Sequence, residues 1–280
     1  MLKAKSIAKY LTLIILAVVT VFPIFYTIMA SFKTNMEIMV NPGSIIPKNP
    51  TFDNYIIAWK SPDFNVFVLF LNSLIYTVIN MTVVLFTSAM NGYVFAWGEF
   101  KFKKVIFGCF TALMFIQTGG IGIYATFQIL DILHLPRTLW TLIALNAFGV
   151  PIINIYLVKS YITTLPNGIC EAAKIDGCSF FGIFMKIIFP LLKPVLATIA
   201  ILSFQGSWND YIMPTIFTLT KPEQRTLMVG LMILKNSGNA ASSWNLMLAG
   251  STIALLPVLA VYAMCNKYFV TGLTVGAMKG

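Results

Sequence analysis

The stretch VFVLFLNSLIYTVINMTVVLFTSAM, residues 66–90, runs for 25 positions without an Asp, Glu, Lys or Arg. A helix that crosses about 30 Å of hydrocarbon needs roughly 20 such residues. Five further runs meet the same requirement, at 10–30, 105–123, 138–158, 191–215 and 246–266. One charge at the centre of a span costs about 2.5–3.5 kcal/mol, so charge-free runs obey a physical constraint. Only the run at 191–215 carries charges, with Lys193 at its start and Asp210 toward its far end. The sequence therefore predicts an all-α, polytopic membrane protein of six spans, organised as a single domain over residues 1–280.

Composition agrees. Hydrophobic residues make up 58% of the chain and charged residues 10%, against roughly 45–50% and about 25% in soluble domains. The excess of 19 Lys and Arg over 9 Asp and Glu would suggest nucleic acid in a soluble protein. Here the basic residues flank apolar runs, so they report topology instead, and no nucleic-acid role is expected. Lys3, Lys5 and Lys9 hold the N-terminus in the cytoplasm, and the first run exceeds the h-region of a cleaved signal peptide. With that orientation 12 basic residues fall inside and 7 outside, which places both termini in the cytoplasm of a cell-membrane protein. Cys109, Cys170, Cys178 and Cys265 then avoid oxidising compartments and are expected as free thiols. No residues have metal-ligand spacing, and His134, the single histidine, falls in an external loop.

Two external segments interrupt the spans. Residues 31–65 are polar, with turn signals at Asn41-Pro42-Gly43 and Asn49-Pro50. Residues 221–245 end in a small-residue stretch from Asn236 to Ser243, which includes Gly238 and is closed by Trp244.

The cytoplasmic segment at 159–190 is too long for a simple connection of about 2–8 residues. It reads as two short helices. Pro166 suits the entry to the first, Ile169 to Ile175 has helical composition, and Gly177 follows Asp176 as a C-cap. Ser179 can N-cap the second, which runs to Ile188 before Pro190. That helix carries Phe180, Phe181, Ile183, Phe184, Ile187 and Ile188, more apolar surface than a solvated loop tolerates.

Glu171-Ala172-Ala173, Ile175-Asp176-Gly177, Ile187 and Pro190 resemble the E-A-A…G…I-x-L-P signature of permease subunits of binding-protein-dependent ABC importers. Asn72-Ser73-Leu74, Leu191-Leu192-Lys193-Pro194, Trp208-Asn209-Asp210 and the terminus from Gly272 to Gly280 resemble the carbohydrate-uptake branch, in particular the maltose-type second permease. Phe189 stands where the signature usually has Leu, and Gly168 and Cys170 stand where relatives often carry acidic residues. The resemblance covers nearly the whole chain. It implies that the loop at 159–190 docks on a separate ATPase subunit, with Glu171, Ala172, Ala173, Asp176, Gly177, Ile187 and Pro190 as the coupling residues. It also implies a second homologous permease, two ATPase subunits, an extracellular solute-binding protein and a sugar or oligosaccharide substrate. ATP and Mg would sit on the ATPase subunits. The chain has no G-x-x-x-x-G-K-[ST] phosphate loop and is expected to bind no cofactor itself.

Polar residues inside spans are costly and usually face a bundle interior or a water-filled cavity. Asn72, Tyr76 and Asn80 share a helix face at steps of four; Asn146 precedes Gly149 and Pro151, where a kink is expected; Gln205, Trp208, Asn209 and Asp210 cluster in the fifth run. Apart from Tyr76, these are the candidate translocation-path residues, and an amide-and-aromatic lining suits an uncharged polyhydroxyl solute. By resemblance to maltose-type permeases, Asn236, Gly238 and Trp244 are candidate contacts for the binding protein. A secondary transporter or channel is the alternative, but no charged residue sits at mid-span as an ion or proton relay. A membrane-embedded enzyme would need a metal cluster, a Cys–His pair or paired carboxylates in a span, and the sequence has none of them.

The charge split generates a direct test of orientation. In a cysteine-free background, a cysteine at Lys104 should be protected from an impermeant maleimide in intact cells, while one at Asn236 should react. Labelling at position 104 from outside would reverse the topology.

Overall fold

The computed structural model describes residues 2–62, 64–116, 119–166, 168–236 and 243–277. Every regular element among them is helical. In chain order these are α1 (Leu2–Ala30), α2 (Asn35–Val40), α3 (Asp53–Lys60), α4 (Val66–Trp97), α5 (Lys103–Leu113), α6 (Gly119–Ile132), α7 (Leu139–Phe148) and α8 (Ile152–Ile162). There follow α9 (Gly168–Ile175), α10 (Phe180–Ile183), a π-turn (Phe184–Ile188), α11 (Phe189–Leu191), α12 (Lys193–Trp208), α13 (Ile212–Phe217), α14 (Leu227–Asn236) and α15 (Trp244–Ala277).

Among the described residues three stretches are long and apolar enough to cross a bilayer singly: Lys9–Ala30, Val66–Trp97 and Trp244–Met264. Two bent pairs bring the number to five, α7 with α8 at 40° and Phe180–Leu191 with α12 at 76°. The first bend lies at Gly149-Val150-Pro151, where the sequence predicts a kink, because Pro151 has no N–H for the helical ladder. The expected span at 105–123 is instead two helices, α5 and α6. Helix α6 continues to Ile132, so residues 124–132, expected in an external loop, are helical, and His134 follows with φ 51°. The segment at 221–245 also differs from a plain loop. Its apolar run Leu227-Met228-Val229-Gly230-Leu231 cannot stay in water, so it folds as α14 and buries Leu227, Val229, Gly230 and Leu231.

Hydroxyls within the long helices bond back one turn, as expected where hydrocarbon offers no partner. Thr20 Oγ1 donates to Leu16 O at 2.9 Å, Thr82 to Val78 O at 2.8 Å and Thr252 to Leu248 O at 2.9 Å. The apolar flank of α1 is open, with Ile14 60% and Val18 61% exposed, as lipid contact requires.

Contacts divide the chain into two compact units, residues 1–72 with 225–257 and residues 73–224 with 258–280. In the first, Phe64 is wedged against Gly230 and Gly250; a Cβ on Gly250 would lie 2.9 Å from its ring. The same unit orders the polar segment after α1. Asn54 Nδ2 donates to Ser31 O and Lys33 O at 2.7 and 2.8 Å, Asn245 Nδ2 donates to Asn54 Oδ1 at 2.8 Å, and the fully buried Lys33 donates to Ser44 Oγ at 2.8 Å.

In the second unit one core joins Ala89 and Tyr93 of α4, Val158 and Ile162 of α8, and Ile183, Phe184, Ile188, Leu192 and Ile199. Its geometry depends on Gly92, where a Cβ would meet Val158 Cγ1 at 2.5 Å and Lys159 N at 3.1 Å. Gly92→Ala should therefore lower the thermal unfolding midpoint of the detergent-purified protein, by overpacking worth about 1–3 kcal/mol. Val158→Ala in the same chain should recover part of the loss. An unchanged midpoint in Gly92→Ala would mean that α4 and α8 do not meet this closely.

Candidate functional site

The first candidate site is built by the short helix α9 and the segment after it. Helix α9 ends as its sequence predicts. Gly177 takes φ +79°, Gly177 N donates to Lys174 O at 3.1 Å and Cys178 N to Ala173 O at 3.0 Å, the paired bonds of a Schellman turn. A β-branched residue resists that left-handed conformation. Ser179 caps the next helix by accepting a hydrogen bond from Gly182 N at 3.1 Å. Pro190 then leaves its mark upstream. It lacks an N–H, and its ring would collide with the carbonyl four residues back, so the helix widens to a π-turn in which Phe189 N donates to Phe184 O.

This segment has two faces. Cys170, Ala173, Ile183, Phe184 and Ile188 are buried in the core of the second unit, and Ile187 packs on its edge. Phe184 contacts the rings of Tyr93 at 5.4 Å and Phe189 at 5.8 Å, and Tyr93 Oη donates to Phe180 O at 3.1 Å. Burial pushes the Cys170 thiol above its ordinary range, opposed by the nearby Lys174 charge, which leaves it a poor nucleophile. The other face presents Glu171, Ala172, Asp176, Gly177 and Pro190 to the outside, together with Ile175 at 86% and Phe181 at 53% exposure. The two alanines of the motif thus have opposite surroundings. Ala173 permits close approach of α9 to its own core, while Ala172 stays open. Much of the apolar surface of the second helix is likewise absorbed within the chain.

The second candidate site is a polar cluster inside the same unit. Tyr76 on α4 is buried; its hydroxyl donates to Asp210 Oδ2 at 2.9 Å and accepts from Asn146 Nδ2 on α7 at 3.4 Å. Asn80, one turn along α4, is buried. Of the residues singled out from the sequence, Asn80, Asn146 and Asp210 are thus placed around Tyr76. Asn72 belongs to the first unit, where its Nδ2 donates to Arg225 O at 2.9 Å. Gln205 and Asn209 are exposed, and Asn209 Nδ2 donates to Gln205 O at 3.0 Å. Trp208 is buried and stacked on Phe204 at 5.6 Å, so that ring face is already covered. The shared helix face of Asn72, Tyr76 and Asn80 was the signal that pointed to Tyr76. Ser207, Thr126 and Met213, which line the adjoining cavity, carried none.

Asn236 ends α14 and Trp244 opens α15, both exposed, whereas Gly238 lies outside the described residues. No group of three metal-ligating side chains occurs among the described residues.

The match to known proteins is extensive. The profile of the family described as "Binding-protein-dependent transport system inner membrane component" matches residues 12–274. The chain belongs to that family. Over 273 residues it is 35% identical to the galactooligosaccharides transport system permease protein GanQ of Bacillus subtilis (strain 168), covering 97% of this chain and 95% of that one. It is 33% identical over 278 residues to the arabinooligosaccharides transport system permease protein AraQ of the same organism, covering 98% and 96%. It is 33% identical over 266 residues to the probable starch degradation products transport system permease protein AmyC of Thermoanaerobacterium thermosulfurigenes, covering 95% and 94%. The fold is shared with a chain of a bacterial ABC transporter that imports the acidic polysaccharide alginate, at a TM-score of 0.82 and 22% identity, covering 95% of this chain and 97% of that one. This permease is thus an all-α membrane component of a transport system rather than its catalytic subunit.

The Tyr76–Asp210 bond ties α4 to the turn after α12. Replacing Tyr76 by Phe and Asp210 by Asn, singly and together, should give a coupling energy of roughly 0.5–3 kcal/mol in thermal unfolding of the purified permease. Strict additivity would mean that the two side chains do not interact.

Proposed function

We propose that this permease forms half of the translocation pathway of an ATP-driven importer for a sugar or oligosaccharide, as a single domain of six spans with both termini in the cytoplasm. The partners are a second homologous permease, two ATPase subunits that hold ATP and Mg, and an extracellular solute-binding protein. The printed substrates of the relatives, galactooligosaccharides and arabinooligosaccharides among them, support the substrate class. The observation that carries the reading is the two-faced segment at α9: an anchored inner face on the core and an outer face with the Glu171 and Asp176 carboxylates and exposed apolar side chains.

On this account Glu171, Ala172, Asp176, Gly177 and Pro190 meet the ATPase, while Ala173 and Ile187 fix the segment to the spans. Glu171 offers a charge-assisted pair to an Arg or Lys of the ATPase. Ile175 and Phe181 bring apolar contact. Force on the outer face passes through Ile183, Phe184 and Ile188 to α4, α8 and α12, because a close-packed core transmits displacement instead of absorbing it. Asn72, Asn80, Asn146, Gln205, Trp208, Asn209 and Asp210 are proposed as residues of the translocation path. Asn236, Gly238 and Trp244 are proposed to touch the binding protein.

Truncating one member of a buried charge pair costs about 2–5 kcal/mol, largely through the charge left unpaired. Glu171→Ala should weaken assembly with the ATPase or, where assembly survives, abolish stimulation of ATP hydrolysis by loaded binding protein. Gly177→Val should do similar harm by straining the turn. Full stimulation and uptake in both variants, in reconstituted complex of correct stoichiometry, would show that α9 is not the transmission element.

A further inference from the structure

Residues 38–47, Ile-Met-Val-Asn-Pro-Gly-Ser-Ile-Ile-Pro, carry no Asp, Glu, Lys or Arg, and a charged residue stands at each end, Glu37 and Lys48. The two ends meet. Lys48 N donates to Glu37 Oε1 at 2.8 Å, which closes the stretch into a loop with a charged neck. Carbonyls of a surface loop ordinarily face water; here they are taken by the chain itself. The fully buried Lys33 donates from Nζ to Ser44 O and Ser44 Oγ, Ser44 Oγ donates to Asn41 O at 3.2 Å, and Tyr26 Oη donates to Pro42 O at 2.6 Å. The outer surface of the loop is the reverse. Val40 is 75% and Ile46 73% exposed, and their sequence neighbours Met39 and Ile45 are exposed as well. Backbone polar groups satisfied from within and apolar side chains turned outward are what a segment needs at the edge of hydrocarbon.

The position of the loop names its partner. Tyr26 lies four residues before Ala30, the end of α1, and so about 6 Å short of that end at the standard rise. Its bond to Pro42 brings the loop back alongside the span Lys9–Ala30, whose apolar flank is open. We propose that residues 38–47 form a membrane-interface anchor. Met39, Val40, Ile45 and Ile46 enter the lipid leaflet at the C-terminal end of α1, while Glu37 and Lys48 stay in water. Interfacial segments bury their apolar side chains about 5–10 Å into the boundary between headgroups and acyl chains. A docked protein is the weaker occupant, because the exposed tip holds no Trp, Tyr or Arg, the residues that dominate protein-binding hot spots. The proposal rests on α1 as a span, and on the orientation proposed above only for the choice of the outer leaflet. Lys33 is the brace: its ammonium, spent on Ser44, holds the loop in shape instead of reaching for water. Asn54 bonds the carbonyls of Ser31 and Lys33 and is bonded by Asn245, so the anchor also fixes the start of α15 relative to the membrane surface.

The test uses the complete transport complex, otherwise free of cysteine, reconstituted in phosphatidylethanolamine–phosphatidylglycerol proteoliposomes. Val40→Cys and Ile46→Cys each carry an environment-sensitive nitrobenzoxadiazole label, and Lys48→Cys at the neck is the control. Quenching is read with iodide in the water and with lipids bearing a nitroxide either high on the acyl chain or at its methyl end. Labels at 40 and 46 should be shielded from iodide and quenched by the shallow nitroxide about twofold more than by the deep one. The label at 48 should be open to iodide. If Val40→Cys does not assemble, Ile46→Cys must give the same pattern. Iodide quenching at 40 and 46 equal to that at 48, without lipid quenching, would overturn the anchor and place the loop in water. Shielding from iodide and from both nitroxides, or shielding that appears only when the solute-binding protein is added, would overturn it in favour of a protein contact. None of these readouts depends on ATP or on solute, so failure of the anchor and failure of the importer reading are told apart.

Discussion

Hydrocarbon offers no hydrogen bonds, and most of this permease answers to that constraint. Each backbone group in a span must be satisfied within the chain, so the elements among the described residues are helices. Side-chain hydroxyls of Thr20, Thr82 and Thr252 fold back onto their own turns. The same rule gives the exceptions their meaning. Where Pro151 and Pro190 remove N–H donors, the helix kinks or widens, and both irregularities border a candidate site.

The second unit links the two sites through packing. Tyr93 and Phe184 anchor the turn around α10, and Ile199 of α12 belongs to the same core. Helix α12 has 16 residues, about 24 Å at the standard rise. It carries the core at one end and Ser207 at the other, with Asp210 in the turn beyond. A displacement of the anchored face therefore has a rigid route to the Tyr76 cluster. Gly92 sets how closely α4 and α8 share that core, so a residue with no side chain fixes the packing of this region.

Local chemistry was legible in the sequence where one residue type has one physical consequence. Gly177 as a left-handed cap, Ser179 as an N-cap and the Gly149–Pro151 kink could be read that way. Span boundaries were less legible, because an apolar run does not reveal whether its helix is broken: residues 105–123 are divided between α5 and α6. The apolar run in α14 was too short to signal a span and too apolar for the loop in which it lay. Tertiary surroundings were the least legible. Nothing in Glu171-Ala172-Ala173 distinguishes the exposed alanine from the buried one, and Trp208 offers a stacking face in sequence that Phe204 occupies in the fold. Asn80, Asn146 and Asp210 lie on different segments, and only the fold brings them around the Tyr76 hydroxyl.

The central claim is that movement of solute is driven by ATP through a docked partner, not by an ion gradient through this chain alone. The direct measurement is uptake of a neutral disaccharide into proteoliposomes of the purified complex. ATP is enclosed or omitted, binding protein is added or withheld, and ion gradients are collapsed throughout. The account predicts uptake only when ATP and binding protein are both present. Uptake that persists without ATP, and that an imposed proton or sodium gradient accelerates, would contradict it.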